Sequence, residues 1–377
     1  STRLMIREVL TVLTTQVLSE RPFAERWVAF WANQLCVSSG TETRIASLSG
    51  AYERQAIRPN VFGAYEDMLL ASARHPAMLL YLDNTESVGP NSLAVRRSAG
   101  RRRARRHTDL NENYARELLE LHTVGVHGGY DQQDIRQLAA ILTGWSLNGA
   151  SGMGDGPLGF RFAEELHEPG SKTVLGVRYK ESGEAEGEMV IRDLARRPET
   201  AEFIATRLVR HFISDDPPAS AVARIKRAWI RTDGDLRQVA TAMVNLNEAW
   251  HSEHRKFRTP QDWVVAALRA VGARRVGREV PEMLRTLRHQ VWAPPAPTGY
   301  KDGVAEWADP DSLMKRAEAS RSLASELSNG ERPDPRDMIQ VIALGANDPL
   351  RDMLADDSLE SVERLALCLA SPAFQWR

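Results

Sequence analysis

A chain of 377 residues is long enough for one large domain or two ordinary ones, and it can bury a sizeable core. Its 49 Lys and Arg balance 50 Asp and Glu, which excludes a molecule drawn as a whole to nucleic acid or an anionic membrane, so any anion binding must be local. The two cysteines, Cys36 and Cys368, exclude a disulfide scaffold and a Cys-based zinc site, and no apolar run approaches the roughly 18 residues of a membrane span.

The cysteines leave the redox compartment open, and the protein is expected to be soluble. The opening STRLMIREVL lacks the charged-then-apolar order of an export signal, and a start at Ser fits processing or trimming upstream. Residues 4 to 18 place Leu4, Ile6, Val9, Leu10, Leu13 and Val17 at amphipathic helical spacing, ending before Pro22. A second helix runs from Pro22 to about Leu35 and gathers Phe23, Trp27, Phe30 and Trp31, which suit a core or a pocket wall. The amides of Asn33 and Gln34 serve either a cleft or the helix end. Residues 61 to 82 read as two short helices broken at His75-Pro76, because a residue before proline is pushed out of helical geometry. From Thr85 to Thr108 a polar stretch ends in RRRARRH and predicts an exposed, poorly ordered basic loop.

The stretch from Asp109 to Trp145 organises the chain. Asp109 with Glu112 forms a capping box, predicting a helix from Leu110 to Gly125; Asp131 with Asp134 opens a second, with Ile135, Leu138, Ala139 and Leu142 in register before Gly144. The pair predicts an αα-hairpin. On its first helix Asn111 and His122 fall within an apolar stripe of Tyr114, Ala115, Leu118 and Leu121, while Asn113, Glu117 and Glu120 occupy the other side. Glu112 stands four residues before Arg116, a spacing equally natural on a solvated surface. Glycine-rich sequence follows, and Phe160 to Phe162 with Thr173 to Leu175 predicts a β-hairpin near residues 158–178, His167 lying between its strands. Further helices are predicted over 188–196, 200–213, 219–231, 235–247, from Pro260, and over 310–328, 335–344 and 358–370; Trp292 to Tyr300 is a proline-rich loop. The fold class is therefore mainly α: one helical domain over 1–377, with a basic loop at 85–108 and a glycine-rich, β-hairpin insertion at 148–187.

The G-x-S-x-G elbow, the phosphate loop and H-E-x-x-H are absent. His251 and His254 read as a surface pair, Asp233-Gly234-Asp235 as a turn and N-cap, and His211, after Arg207 and Arg210, as an anion binder or a helix-end histidine. No metal site is predicted: Glu120, His122 and His167 match no established ligand spacing. An imidazole inside an apolar stripe needs a partner, so His122 is either a satisfied core histidine or a catalytic group.

At NENYARELLELHTVGVHGGY the sequence resembles the bacterial domain-of-unknown-function 1800 family. FWANQL, RHPAMLLYLDN, LTGWSL, HEPGSKTVLG, RPETAEFIATRLVRHFISDDPP, TDGDL and KFRTPQDWVVAALRA resemble that family's blocks in order, from about Trp27 to Ala270. Two positions depart: Asn33-Gln34 stands where relatives tend to have Asn-His, and His127 where they usually have Asp. The resemblance implies a longer N-terminal helical region and an exported or periplasmic location for many members, and no settled activity.

Two functions remain open. One is a hydrolase or lyase acting on a glycan-like or anionic substrate, with Glu112, Glu120, His122 and His167 as acid and base groups. Asn111, Asn113, Arg116, Lys172 and Asp83 would then hold the substrate, and Trp145 would form an apolar wall. The other is a non-catalytic helical scaffold for a partner protein or surface polymer, the Arg101–Arg106 run being the expected contact for an anionic polymer or partner. Neither reading names a cofactor, and general nucleic-acid binding is not expected.

Overall fold

Proline and short polar side chains set many of the helix boundaries in the computed structural model, which describes residues 2–98, 110–149, 158–251, 255–326, 334–342 and 344–377. The basic run Arg101–Arg106, Asp109, most of the glycine-rich stretch and His254 lie outside the described residues. In chain order the helices begin with α1 (Thr2–Leu18), α2 (Pro22–Gln34), α3 (Thr43–Tyr52), α4 (Tyr65–Arg74), α5 (Pro76–Tyr81), α6 (Leu93–Ser98), α7 (Asn113–Glu117) and α8 (Gln132–Leu142). Strands β1 (Trp145–Asn148), β2 (Gly159–Phe162), β3 (Lys172–Val174) and β4 (Val177–Tyr179) follow. Then come α9 (Glu184–Arg196), α10 (Pro198–Phe212), α11 (Ala219–Arg231), α12 (Leu236–Val244) and α13 (Pro260–Ala270). The last are α14 (Val280–Thr286), α15 (Val304–Trp307), α16 (Pro310–Glu326), α17 (Met338–Val341), α18 (Leu350–Ala355), α19 (Ser361–Ala370) and α20 (Pro372–Gln375). The protein is mainly α.

The expected break at His75-Pro76 is present: His75 is extended, its Nδ1 accepts the Ala77 N–H at 3.1 Å, and α5 starts at the proline. Asp131 and Asp134 form the capping box that opens α8. The predicted continuous helix from Leu110 to Gly125 is not what forms. At the start of the described segment Asn111 Oδ1 accepts the Asn113 N–H at 2.9 Å. After α7 the chain widens into a π-turn, Leu118–His122. The freed carbonyls find long-range donors: Gln34 Nε2 reaches Leu121 O at 2.6 Å and the Tyr65 hydroxyl donates to His122 O. The wider turn changes the buried face, so Leu119 is in the core and Leu121 is only half-buried.

The β prediction also needs correction. Two separate antiparallel pairs form, β1 with β2 and β3 with β4, instead of one hairpin joining 160–162 to 173–175. Leu175 and Gly176 both have positive φ, 49° and 78°, the signature of a two-residue turn that folds β4 directly back on β3. Nor is all of 85–108 a free loop, because α6 follows a docked segment in which Gly89 N donates to Leu166 O at 2.9 Å and Ser87, Val88 and Ser92 are buried.

The apolar core is divided. One cluster extends from α2 through α12, centred on Trp27, Trp31, Tyr65, Trp145 and Trp229; the other joins α1 to the helices after residue 260 through Leu13, Trp263, Leu284, Leu323, Leu369 and Phe374. Thus α1 and α2, consecutive in sequence, belong to different cores, and charged side chains line the cavity at the seam between those cores.

Candidate active site

The residues singled out by sequence separate into three places. On the exposed side of α7, Arg116 lies 3.5 Å from Glu112 and 3.7 Å from Glu120, while Glu112 accepts Gln132 Nε2 at 2.6 Å. These contacts tie α7 to α8 at the surface, and the Tyr130 hydroxyl also meets Glu120. Asn111 donates to Asp83 O at 3.1 Å and Asn113 bonds the Asp83 carboxylate. Asp83 has a left-handed backbone, and burial together with Glu86 and Glu42 raises its pKa. His122 stands apart. It is 1 % exposed, its Nδ1 has no partner among the described residues, and burial depresses its pKa to about 4, so it is a neutral core imidazole; Asn111 turns to Asp83 instead.

The third place is a buried cluster. Lys172 Nζ is 3.1 Å from Glu186 Oε2, 3.4 Å from His167 Nε2 and 2.6 Å from Glu168 O. His167 Nδ1 contacts Thr143 O at 2.9 Å. The three ammonium protons therefore have three acceptors, and both imidazole nitrogens are engaged. Lys172 has no donor left for a substrate anion. Trp145 is fully buried and packs its ring against Gly187 of α9 and Phe160, so it is a core residue and not a cleft wall. The fold thus brings together His167 with Lys172, and Asn111 with Asn113 and Asp83, and none of these contacts among the described residues includes His122.

The seam between the two cores holds a cavity of about 490 Å³. Into it α2 contributes Arg26, α10 contributes His211, the segment before α13 contributes Arg258, α13 contributes Asp262, the loop before α15 contributes Asp302, and the chain ends in Arg377. His211 Nδ1 is 2.7 Å from Asp302 Oδ2, which fixes the tautomer with Nδ1–H donated to the carboxylate and leaves Nε2 without a hydrogen-bond partner among the described residues. Burial among Phe30 and Phe212 lowers the His211 pKa despite the Asp302 bond, so the ring is neutral at pH 7 and basic at Nε2. Burial would raise the Asp302 carboxyl, yet His211, Lys256 and Arg207 hold it well below the usual carboxylate range.

Beside this pair the cavity wall is cationic, and Arg377 donates to His211 O at 3.2 Å. Asp262 pairs with Arg377, and Arg377 and Arg26 outweigh the burial that would otherwise raise the carboxyl. Burial and the neighbouring Arg377 lower Arg26 to about 9, and burial lowers Arg258 to about 10. Arg258 is held by Phe374 O, whereas Arg26 makes no hydrogen bond or ion pair among the described residues, rests 5.3 Å over the Phe212 ring, and has a buried, unpartnered Nε. The loop carrying Asp302 is clamped by Asn33, whose amide accepts Tyr300 N at 2.7 Å and donates to Tyr300 O at 2.9 Å. Gly299, at φ 76°, permits this approach: a Cβ there would lie 2.5 Å from Asn33 O. Gln34 links the seam to the π-turn, accepting Arg207 Nε at 3.0 Å while donating to Leu121 O. Cys36 also lines the cavity, but burial pushes its thiol up to about 12 and its Sγ faces Pro297 O at 3.3 Å, so it is no nucleophile.

The family model described as "Protein of unknown function (DUF1800)" matches residues 2–376. The chain is a DUF1800 protein. No curated protein and no solved structure matches it.

In this DUF1800 chain, sequence reasoning named His211 as an anion binder or helix-end residue but missed Arg26, Arg258, Asp262, Asp302 and Arg377. One signal was available: Arg26 lies three residues after Phe23 and four before Phe30, inside the aromatic stripe of α2, where a guanidinium is out of place. Asp262 was hidden by local grammar, because Thr259-Pro260-Gln261-Asp262 reads as an ordinary helix start, and Thr259 does accept the Asp262 N–H.

Proposed function

We propose that this DUF1800 protein is a hydrolase acting on an anionic substrate in the inter-core cavity. The carrying observation is the Asp302–His211 pair, an oriented, neutral imidazole in a cavity whose adjoining wall carries Arg26, Arg258 and Arg377. Nε2 takes a proton from water as its oxygen attacks an acyl or phosphoryl centre, Asp302 stabilises the resulting imidazolium, and the imidazolium returns the proton to the leaving group. Arg26 and Arg258 hold the anionic group. A lyase that removes a proton beside a carboxylate would use the same base.

The glycan form of the reading is not favoured. Glycoside cleavage ordinarily needs one carboxyl kept protonated as a general acid, whereas Asp262 and Asp302 are both held strongly ionised. The Glu112, Glu120 and His122 assignment has less support than the cavity, since the two glutamates pair with Arg116 and His122 is enclosed.

A panel of activated carboxylic esters and phosphoesters tests the proposal. His211→Gln and Asp302→Asn should each lower turnover by roughly 10²–10⁴-fold with an unchanged folded spectrum, while Glu120→Gln should leave it within about twofold. Turnover that survives both cavity substitutions in folded protein refutes the assignment.

A further inference from the structure

We infer that the inter-core cavity selects an anionic amphiphile, a carboxylate or phosphate head on an aliphatic or aromatic body, with the head seated on Arg26. This rests on the proposed catalytic site and specifies its substrate class. The cavity is chemically two-faced. Around one region Arg26, Arg258 and Arg377 gather about Asp262 beside the His211–Asp302 pair, three guanidiniums to two carboxylates, so the region carries surplus positive charge.

Several other ions lining the cavity are committed, while Lys301 is exposed. Arg269 donates to Gln16 O, Val17 O and Ser19 O at 3.1, 2.8 and 2.9 Å, closing the end of α1. Glu25 and Glu53 are engaged by Arg58 at 3.0 and 2.9 Å. Arg26 has no such acceptor, and a buried cation without one is stabilised by whatever anion enters.

The rest of the wall is apolar: Val12, Ala29, Val265, Ala266, Val291 and Ile342 line the space. Val265, Ala266 and Ile342 are only partly covered by the second core, so they retain apolar surface for a ligand body. A volume of about 490 Å³ lies within the range that encloses a small organic molecule, well beyond what a lone oxyanion fills. His211 belongs to the same cavity, so its Nε2 and the seated molecule share one space.

Isothermal titration of the full chain with octanoate, octyl phosphate, inorganic phosphate and octanol tests this. Octanoate or octyl phosphate should bind at least tenfold more tightly than either inorganic phosphate or octanol, and whichever head binds better identifies the source class. Arg26→Met should weaken that binding by roughly 10–100-fold, the worth of a charged hydrogen bond, while the melting temperature of the unliganded variant stays level or rises, because Met keeps an apolar stem over Phe212 and Arg377 still pairs with Asp262. Octanol binding as well as the anions, inorganic phosphate matching octyl phosphate, equal affinity in Arg26→Met, or no binding by any probe would overturn the inference. His211→Gln separates the two claims: if it keeps the affinity and the turnover, the catalytic reading fails and the ligand site stands. If it loses turnover while Arg26→Met keeps both affinity and KM, the ligand inference fails alone.

Discussion

Removing the ammonium of Lys172 discriminates a structural clasp from a substrate-holding cation. Lys172, His167 and Glu186 are 3 %, 6 % and 0 % exposed, so water does not compensate a lost partner. In Lys172→Met the apolar stem is preserved, but Glu186 Oε2 loses its 3.1 Å contact while Oε1 already has none. Only His167 Nε2, 3.3 Å from Oε2, then remains beside it, and breaking a buried pair by removing one partner costs about 3–5 kcal/mol. An unfolding entropy of about 2.1 cal/mol/K per residue gives about 0.8 kcal/mol/K for the 377-residue chain, so the melting temperature should fall by about 4–6 °C. Lys172→Met combined with Glu186→Gln removes both charges and supplies His167 Nε2 with an amide donor, so most of that loss should return. Differential scanning calorimetry of the wild type, both single variants and the double variant closes the cycle. A Lys172→Met loss below about 1 kcal/mol, or a double variant less stable than the single one, refutes the clasp. A raised KM with unchanged melting temperature would return Lys172 to the substrate.

Burial depresses His75, His122 and His289 to about 4. Since the unfolded chain protonates near 6.5 while these folded rings stay neutral, stability is complete above that pH and falls as pH drops toward 4, by about 1.4 kcal/mol per pH unit for each ring. His122→Leu should therefore flatten the acid limb of the melting-temperature profile without lowering it at pH 7; an unchanged limb would show that the ring protonates freely in the fold. Gly187→Ala should destabilise by about 1–3 kcal/mol, because its Cβ would lie 2.4 Å from Trp145 Cζ2. Unchanged thermal unfolding and tryptophan fluorescence would contradict the packing ascribed to Trp145.

The legible parts of the fold are those decided within a few residues. The Asp131/Asp134 capping box and the His75-Pro76 break are local chemistry, and the helices they bound appear as expected. The segment from Leu118 to His122 looks like a regular helix in sequence because nothing within it requires a wider turn. Its carbonyls are instead engaged by Gln34 and Tyr65, far away in the chain, and once the register shifts the periodic stripe no longer identifies the buried face. The Leu175-Gly176 turn was missed for a different reason, since only the glycine carries the usual signature of positive φ.

The site was less legible than the fold because its charges are dispersed among residues 26, 211, 258, 262, 302 and 377. Each has an ordinary local explanation: Asp262 follows a helix cap, and His211 ends a helix where the dipole welcomes a cation. The conflict appears only when α1 joins the C-terminal core while α2 joins the other, setting the Arg26 face of α2 across from α13. Two apolar faces at such a seam would close by packing, as the clusters on either side do. Here an unpaired guanidinium and an Asp-held histidine keep the seam polar at one end, and that cost is intelligible if an anion completes it. The enclosed His122, by contrast, breaks the apolar stripe without opening to the cavity, so its polarity is a matter of core stability. Burial against a ligand-sized space, more than polarity within a helical stripe, separates these two histidines.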